Sequence, residues 1–183
     1  TKSELSRLSY QRKKDELDKI FCHTNVKRGI DILVELGLDK ELELDFSKCV
    51  YNTDLIGIWA SIGVNGNYPF TKNEKDLIEK IRLVRDMNNL DNVVLYKYGL
   101  YVNIVAGSLN GTDRKDIANK YDKLPIKTKD DVNISTNQII GLLEMEPSKK
   151  LKDIYEDLIN NILYGKLDNN YEDISKYLVS VYK

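Results

Sequence analysis

The side chains that most often carry enzyme chemistry are sparse in this sequence of 183 residues. It contains a single histidine, His23, and two cysteines, Cys22 and Cys49. A metal-dependent phosphohydrolase of the His-Asp type needs several imidazole ligands, which one histidine cannot supply. Cysteine catalysis needs a thiol beside an imidazole, but adjacent residues on a helix point away from each other. We therefore interpret His23 as a capping or surface residue.

Acidic pairs occur at Asp15-Glu16 and Asp130-Asp131. Neither has the strand context that a two-metal transferase site normally uses. Acids at a helix N-terminus, where the helix dipole favours negative charge, explain both pairs more simply. No glycine-rich loop precedes a Lys-Ser or Lys-Thr pair, so a phosphate-binding P-loop is not predicted. The sequence therefore predicts no catalytic residue, no metal ligand and no cofactor bound by this chain.

Lysines near predicted helix starts offer binding chemistry instead. A helix N-terminus presents unpaired backbone N–H groups and the positive end of the helix dipole, which together favour phosphate. Contacts of this kind hold a phosphate backbone without reading its bases. The candidate RNA-binding residues lie in one turn and at one helix start, and are Lys127, Lys129, Ser148, Lys149, Lys150 and Lys152. The alternative is that these are solvated surface lysines.

Nearly every segment of the chain has apolar residues at helical spacing. Capping boxes are predicted at Thr71 with Glu74 and at Ser135 with Gln138. Residues 92–109 are rich in β-branched and aromatic types, so a strand is a local alternative there. We assign a helix, because no partner strand is evident elsewhere and a lone hairpin would be marginal.

Other helix boundaries are predicted from single residues. The remaining predicted N-caps are Ser3, Thr24, Thr112 and Asn170, and Thr53 opens a very apolar stretch. Gly37 and Gly165 are placed to end helices. Leu124-Pro125 cannot continue a helix, so we place a subdomain boundary there. The predicted fold is all-α, an elongated multi-helical array of about eight to nine helices.

The overall composition is that of a globular protein, with 42% hydrophobic and 31% charged residues. No apolar run approaches the roughly 18 residues of a membrane span, so no membrane partner is expected. Net charge is −1, but residues 1–30 carry eight basic against four acidic residues, a polarity that can orient a polyanion. Two cysteines fit a reducing cytosol, which predicts a cytoplasmic location. With Met87 and Met145 as its only methionines, the chain is expected to be part of a longer protein.

The segment Leu8–Phe21 resembles the neck motif of bacterial-type (class II) tRNA nucleotidyltransferases, the CCA-adding enzymes. The matching residues are Ser9, Arg12, Glu16, Leu17, Lys19 and Ile20. Gln11 stands where the family has glutamate. The next segment, Arg28–Leu38, is similar to the small helical pair that follows this motif.

The C-terminal third resembles the tail of the same family in two stretches that occur in the family's order. Leu124–Lys127 and the residues after it are similar to the family's L-P-I pattern, and Pro147–Asn169 resembles its ending. The resemblance implies neck-like helices over 1–50, a body-like helical domain over 51–123 and a tail-like helical domain over 124–183.

The resemblance also implies a function. In the family a catalytic head, expected upstream of this chain, adds CMP and AMP from CTP and ATP with Mg²⁺, while body and tail hold the acceptor stem and elbow of tRNA. By motif match, Arg12 and Glu16 would support the nucleotide pocket of the head, and Lys149 and Lys150 would lie near the tRNA elbow. The chain alone is then expected to bind tRNA and to be inactive. A poly(A) polymerase-type relative and a stand-alone helical interaction module with no RNA role are the alternatives.

Overall fold

The computed structural model describes Leu5 and residues 7–183, and the predicted cap Ser3 lies outside them. The described residues are mostly helical, which confirms the all-α prediction. The helices are α1 (Tyr10–Phe21), α2 (Val26–Glu35), α3 (Leu38–Glu41), α4 (Leu55–Ser61), α5 (Lys72–Met87), α6 (Asn92–Leu109), α7 (Arg114–Asp122), α8 (Thr136–Leu143), α9 (Lys150–Leu163) and α10 (Tyr171–Tyr182). Two short strands, β1 (Leu44–Asp45) and β2 (Gly63–Val64), pair antiparallel, and Lys129–Asp131 form a 3₁₀ turn.

The described residues form two compact units. Unit 1 contains the described part of Thr1–Asn89 together with Tyr101–Arg114, and unit 2 contains Leu90–Leu100 and Lys115–Lys183. These units are defined by packing, whereas the neck, body and tail parts are defined by their family roles. The three-part division therefore stays a prediction.

Capping boxes begin α5 and α8, as predicted. The Thr71 hydroxyl accepts a hydrogen bond from the Glu74 N–H, and the Glu74 carboxylate accepts one from the Thr71 N–H at 2.6 Å. Ser135 and Gln138 make the same reciprocal pair. The predicted cap Asn170 is also confirmed, because its side chain accepts from the backbone of the first turn of α10. Local spacing is enough to predict such ends because both partners lie within one turn.

Three helices begin one residue later than predicted. Asn25 rather than Thr24 precedes α2, and Asp54 rather than Thr53 caps α4, its carboxylate accepting from the Gly57 N–H at 2.8 Å. Aspartate is at least as good an N-cap as threonine, so neighbouring candidates compete. In the third case, α7 begins two residues after the predicted Thr112 cap.

Helix α6 confirms the helical assignment of residues 92–109 and is interrupted at Gly99. Gly99 has φ 74° and ψ 170°, a backbone conformation that is essentially restricted to glycine. The residues of α6 up to Leu100, one position after the break, belong to unit 2. Those from Tyr101 onward belong to unit 1. The glycine thus lies where the chain passes from one unit to the other.

We expect Gly99→Ala to lower the free energy of unfolding by about 1–3 kcal/mol, as measured by urea denaturation followed by circular dichroism. A Cβ atom at this position would meet no atom within 4 Å, so the cost would come from backbone strain and not from a clash. Gly141→Ala is the matched control, since Gly141 lies inside α8 with equally open space. Alanine is favoured over glycine within a helix by about 1 kcal/mol. Equal unfolding midpoints for the two variants would contradict the expectation.

Trp59 lies at the centre of the core of unit 1. Its indole is 1% exposed, and its ring centroid lies 5.1 Å from that of Phe21, 5.3 Å from Tyr68 and 5.0 Å from Phe70. The indole N–H donates to the Asp18 carboxylate at 2.7 Å, so the one polar atom of the ring is satisfied. The core of unit 1 is therefore joined to α1 by packing and by a hydrogen bond.

The C-terminal helix of unit 2 is held to α9 by one carboxylate. Asp157 accepts hydrogen bonds from the hydroxyls of Tyr177 at 2.7 Å and Tyr182 at 2.8 Å. Burial, followed by this hydrogen bond to Asp157, raises the pKa of Tyr182 to about 12. Both phenols are therefore neutral donors at physiological pH.

Candidate nucleic-acid interface

A polar groove of about 560 Å³ surrounds the N-terminus of α8 in unit 2. We call it the polar groove, and the residues that give it its character are Lys129, Asn133, Ser135, Thr136, Tyr155 and Tyr171. It combines a helix N-terminus, hydroxyl groups and a cation, with the Asp130 carboxylate also in its lining. The first three are the groups that bind phosphate in proteins.

Tyr155 organises this groove from the neighbouring helix α9. Its buried hydroxyl donates to the Ile134 carbonyl at 3.0 Å and lies 3.4 Å from the Thr136 hydroxyl, which donates to it. The Lys129 ammonium lies 4.0 Å from the centroid of the Tyr155 ring, within cation–π range. Lys129 is thus held beside the N-terminus of α8. Sequence reasoning missed Tyr155, whose only signal was an apolar position on an amphipathic helix.

Backbone hydrogen bonds fix the loop that carries Lys129. The Asp131 carboxylate accepts from the backbone N–H groups of Lys127 and Thr128, both at 2.8 Å. These hydrogen bonds, that from Lys127 first, lower the pKa of Asp131 below its ordinary value. The Asn169 side chain closes the loop, since it accepts from the Asn133 N–H and donates to the Asp131 carbonyl. Asp131 therefore caps a turn, as interpreted from its sequence.

The structure separates the two lysines of this loop. Lys129 lines the polar groove, whereas Lys127 lines a second groove together with Tyr96 and Lys97. The Lys127 ammonium lies 3.3 Å from the Asp122 carboxylate and 5.5 Å from the centroid of the Tyr121 ring. The two lysines flank one turn in the sequence but face different grooves.

The second predicted group of lysines lies at the start of α9. Ser148, Lys149, Lys150 and Lys152 are all exposed. The helix begins at Lys150, two to three residues later than the predicted start at Pro147 or Ser148, and no side chain caps it. Lys152 forms an ion pair with Glu156 at 3.7 Å. Because Lys152 precedes Tyr155 by three residues on α9, the two lie on neighbouring positions of one helix face.

The two neck residues lie on an exposed face of α1 in unit 1. Arg12 and Glu16 are four residues apart, so they are neighbours on one helix face. The Glu16 carboxylate accepts from the Lys19 ammonium at 2.9 Å. Glu16 also lines a groove of about 390 Å³ between α1 and α2, together with His23. His23 is exposed, and its Nδ1 accepts from the Asn25 N–H, which agrees with its interpretation as a surface residue.

Two kinds of site were searched for within Leu5 and residues 7–183. No group of three or more histidine, cysteine, aspartate or glutamate side chains in that part of the chain could hold a metal ion. The same part contains no helix with the length and apolar character needed to cross a bilayer.

Comparison with known families agrees with this architecture. The family model described as "tRNA nucleotidyltransferase domain 2 putative" matches residues 68–178. The chain belongs to this tRNA nucleotidyltransferase family. A second family model, described as "Probable RNA and SrmB- binding site of polymerase A", matches residues 1–46. Together the two models match residues 1–46 and 68–178.

The chain is also similar to individual CCA-adding enzymes. A CCA-adding enzyme of Bacillus cereus (strain 03BB102) is 23% identical over 95% of this chain and 52% of its own length. One of Bacillus mycoides (strain KBAB4) is 23% identical over 58% of this chain and 30% of its own length. The fold is similar to that of the Bacillus stearothermophilus CCA-adding enzyme in complex with CTP, with a TM-score of 0.73 and 16% identity, over 96% of this chain and 53% of that one. The chain thus spans about half, or less, of the length of these relatives, and its resemblance to the C-terminal region of class II enzymes is confirmed.

Proposed function

We propose that this chain is the tRNA-holding region of a CCA-adding enzyme. The single observation that carries the proposal is the polar groove, where Tyr155 holds Lys129 beside the N-terminus of α8. The lysines at the start of α9 are also exposed and available for phosphate contacts. Such a surface would grip the sugar-phosphate backbone of an acceptor stem and elbow by charge and shape, without base readout.

The bond-making step is assigned to the part of the relatives that this chain does not match. Transfer of CMP and AMP from CTP and ATP with Mg²⁺ would take place there. Arg12 and Glu16 form an exposed, charged pair of neighbours on α1. We propose that this pair faces the nucleotide pocket and supports the choice between C and A.

A poly(A) polymerase-type relative is the second candidate, because the model that matches residues 1–46 is named for polymerase A. Such a relative would hold an RNA 3′ region without a preference for the folded shape of tRNA. Competition between tRNA and poly(A) for this chain separates the two candidates. A tRNA nucleotidyltransferase region should be released from labelled tRNA by unlabelled tRNA far better than by poly(A) of equal nucleotide concentration.

The test of the proposal is the salt dependence of tRNA binding. We expect the chain to bind tRNA with an affinity that falls steeply as salt is added, and to incorporate no nucleotide on its own. Replacing both Lys149 and Lys150 with alanine should flatten the slope of log affinity against log salt by about one to two units, roughly one for each lost phosphate contact. Fluorescence anisotropy with labelled tRNA at several salt concentrations measures this slope.

A matched control replaces two exposed lysines elsewhere. Lys80 and Lys176 each form an ion pair within one helix turn, with Asp76 and Glu172, and their double alanine variant should keep the wild-type slope. If the variants at 149 and 150 also keep it, these lysines are not at the interface. If the wild-type chain shows no affinity for tRNA at low salt, the proposed function is wrong and the chain is a helical interaction module.

A further inference from the structure

A second groove in unit 2 has a different chemistry from the polar groove. Its volume is about 620 Å³, within the range of about 300–1,000 Å³ in which proteins bind small ligands. We call it the aromatic groove, and its lining includes Val93, Tyr96, Lys97, Lys127, Ile159 and Asn160. It lies between the first part of α6, the loop at Lys127 and the middle of α9. No part of it belongs to the polar groove.

The wall of the aromatic groove is a half-buried phenol ring between aliphatic side chains. Val93 and Ile159 line the groove together with Tyr96, and all three residues are partly exposed to solvent. The Tyr96 hydroxyl makes no hydrogen bond to any other residue of the described chain. Burial, and to a lesser degree the nearby Asp131 and Asp130, raises the pKa of Tyr96, so the ring is uncharged at physiological pH. A flat, neutral ring of this kind is a surface on which a nucleobase can stack.

Two lysines, Lys97 and Lys127, line the same groove as the Tyr96 ring. Lys97 is exposed and forms no ion pair within the described residues. The Lys127 ammonium forms an ion pair with the Asp122 carboxylate at 3.3 Å, and its side chain is 41% exposed. Glu156, the acid in the lining, is paired with Lys152. The groove therefore offers positive charge for a phosphate, and a carboxylate and the Asn160 amide for the polar edge of a base.

We propose that the aromatic groove holds one unpaired nucleotide of the bound RNA, with its base on Tyr96 and its phosphate at Lys97 and Lys127. This inference rests on the proposed function and adds a single-stranded contact to the backbone contacts of the polar groove. The amino group of adenine or cytosine would donate to the Glu156 carboxylate or the Asn160 side-chain oxygen. Uracil has no such amino group and would bind less well.

The test compares Tyr96→Leu with Tyr96→Phe in the whole chain, using fluorescence anisotropy with a short single-stranded RNA of A and C. Tyr96→Leu removes the stacking surface but keeps an apolar side chain, and should weaken binding by about five- to a hundredfold. Tyr96→Phe keeps the ring and should bind like wild type, because the hydroxyl has no partner to lose. Lys97→Ala replaces an exposed side chain, so the fold should be kept. It should weaken the binding of the same RNA and lower the slope of log affinity against log salt.

Controls separate this groove from general RNA affinity. Tyr164 and Lys166 are also a tyrosine with a nearby lysine, the ammonium lying 5.5 Å from the ring centroid, but they line neither groove. Tyr164→Leu with Lys166→Ala should leave binding of the single strand unchanged. A duplex of the same length should be bound equally by wild type and Tyr96→Leu, since its bases are already stacked.

The possible outcomes distinguish failure of the aromatic groove as a nucleotide site from failure of the proposed tRNA-holding function. Wild-type tRNA binding, with single-strand affinity that is unaffected by Tyr96→Leu and Lys97→Ala, would overturn this inference and leave the proposed function intact. If the wild-type chain does not bind tRNA, both the proposed function and this inference are wrong. If free CMP or AMP displaces the single strand at concentrations below that of the RNA, the groove is a site for free nucleotide and the assignment to RNA is wrong.

Discussion

Trp59→Ala is expected to lower the free energy of unfolding by about 3–5 kcal/mol, a large share of the 5–15 kcal/mol typical of a domain. The indole is almost fully buried, and three aromatic rings lie within 5.3 Å of it, centroid to centroid. Alanine would leave a cavity that these rings cannot fill and would leave Asp18 without its indole donor. Because Trp59 is the sole tryptophan of the sequence, urea unfolding has to be followed by circular dichroism.

Trp59→Phe divides this cost into its parts. Phenylalanine keeps most of the aromatic packing but loses the N–H that donates to Asp18, so we expect a loss of about 1–3 kcal/mol. Tyr164→Ala serves as the exposed aromatic control, at 57% exposure, and should change stability by less than about 0.5 kcal/mol. A Trp59→Ala variant as stable as Tyr164→Ala would show that the core of unit 1 does not depend on the indole.

Features set within one helix turn could be predicted from the sequence. The capping boxes of α5 and α8 need only two residues three positions apart, and each was predicted correctly. The helix end before Gly37 is equally local, since Gly37 has the left-handed φ of 63° that the prediction requires. The helix assignment of residues 92–109 came from the lack of a partner strand, which is a weak but sufficient argument against an isolated strand.

Features that depend on residues far apart in the sequence could not be predicted. The break at Gly99 was not predicted, because this glycine lies within an apolar stretch that is helical on both sides. The role of Tyr155 depends on Ile134 and Lys129, which are 21 and 26 positions away, so its apolar helix position indicated only a core residue. The separation of Lys127 from Lys129 follows from a turn held by Asp131.

The basic run Arg12-Lys13-Lys14 shows the same limit, because its three residues lie in different surroundings. Arg12 is exposed, whereas Lys13 and Lys14 are 6% and 7% exposed. The Lys14 ammonium donates to Asp18 at 2.8 Å and to Glu74 at 3.0 Å. Lys14 thus connects α1 to the capping box of α5 and to the carboxylate that holds the Trp59 indole. Within this run, the residue that matches the neck motif, Arg12, is exposed, whereas its two lysine neighbours are buried in the fold.

Lys14→Ala should consequently lower the free energy of unfolding by about 2–4 kcal/mol, measured by urea denaturation with Trp59 fluorescence as the signal. Removing the ammonium leaves two carboxylates, each 23% exposed, without their cation. The matched control on the same helix is Lys19→Ala, whose ammonium is 69% exposed and pairs with Glu16 at a similar distance of 2.9 Å. An exposed pair of this kind contributes at most about 1 kcal/mol. Equal losses for the two variants would show that Lys14 is not a structural cation.

The pH dependence of this loss identifies its origin. Burial alone would raise the pKa of Glu74, but hydrogen bonds from the Thr71 N–H and from Lys14 outweigh it, so the pKa lies below the ordinary 4.5. Stability from this group is present above pH 4.5 and is lost as the pH falls through the lowered value. Burial alone would lower the pKa of Lys14, but its hydrogen bonds to Asp18 and Glu74 raise it above 10.5. The difference between wild type and Lys14→Ala should therefore be largest between these limits, and should shrink in acid and again above pH 10.5. A difference that stays constant across this range would assign the loss to the missing alkyl chain and not to the charge.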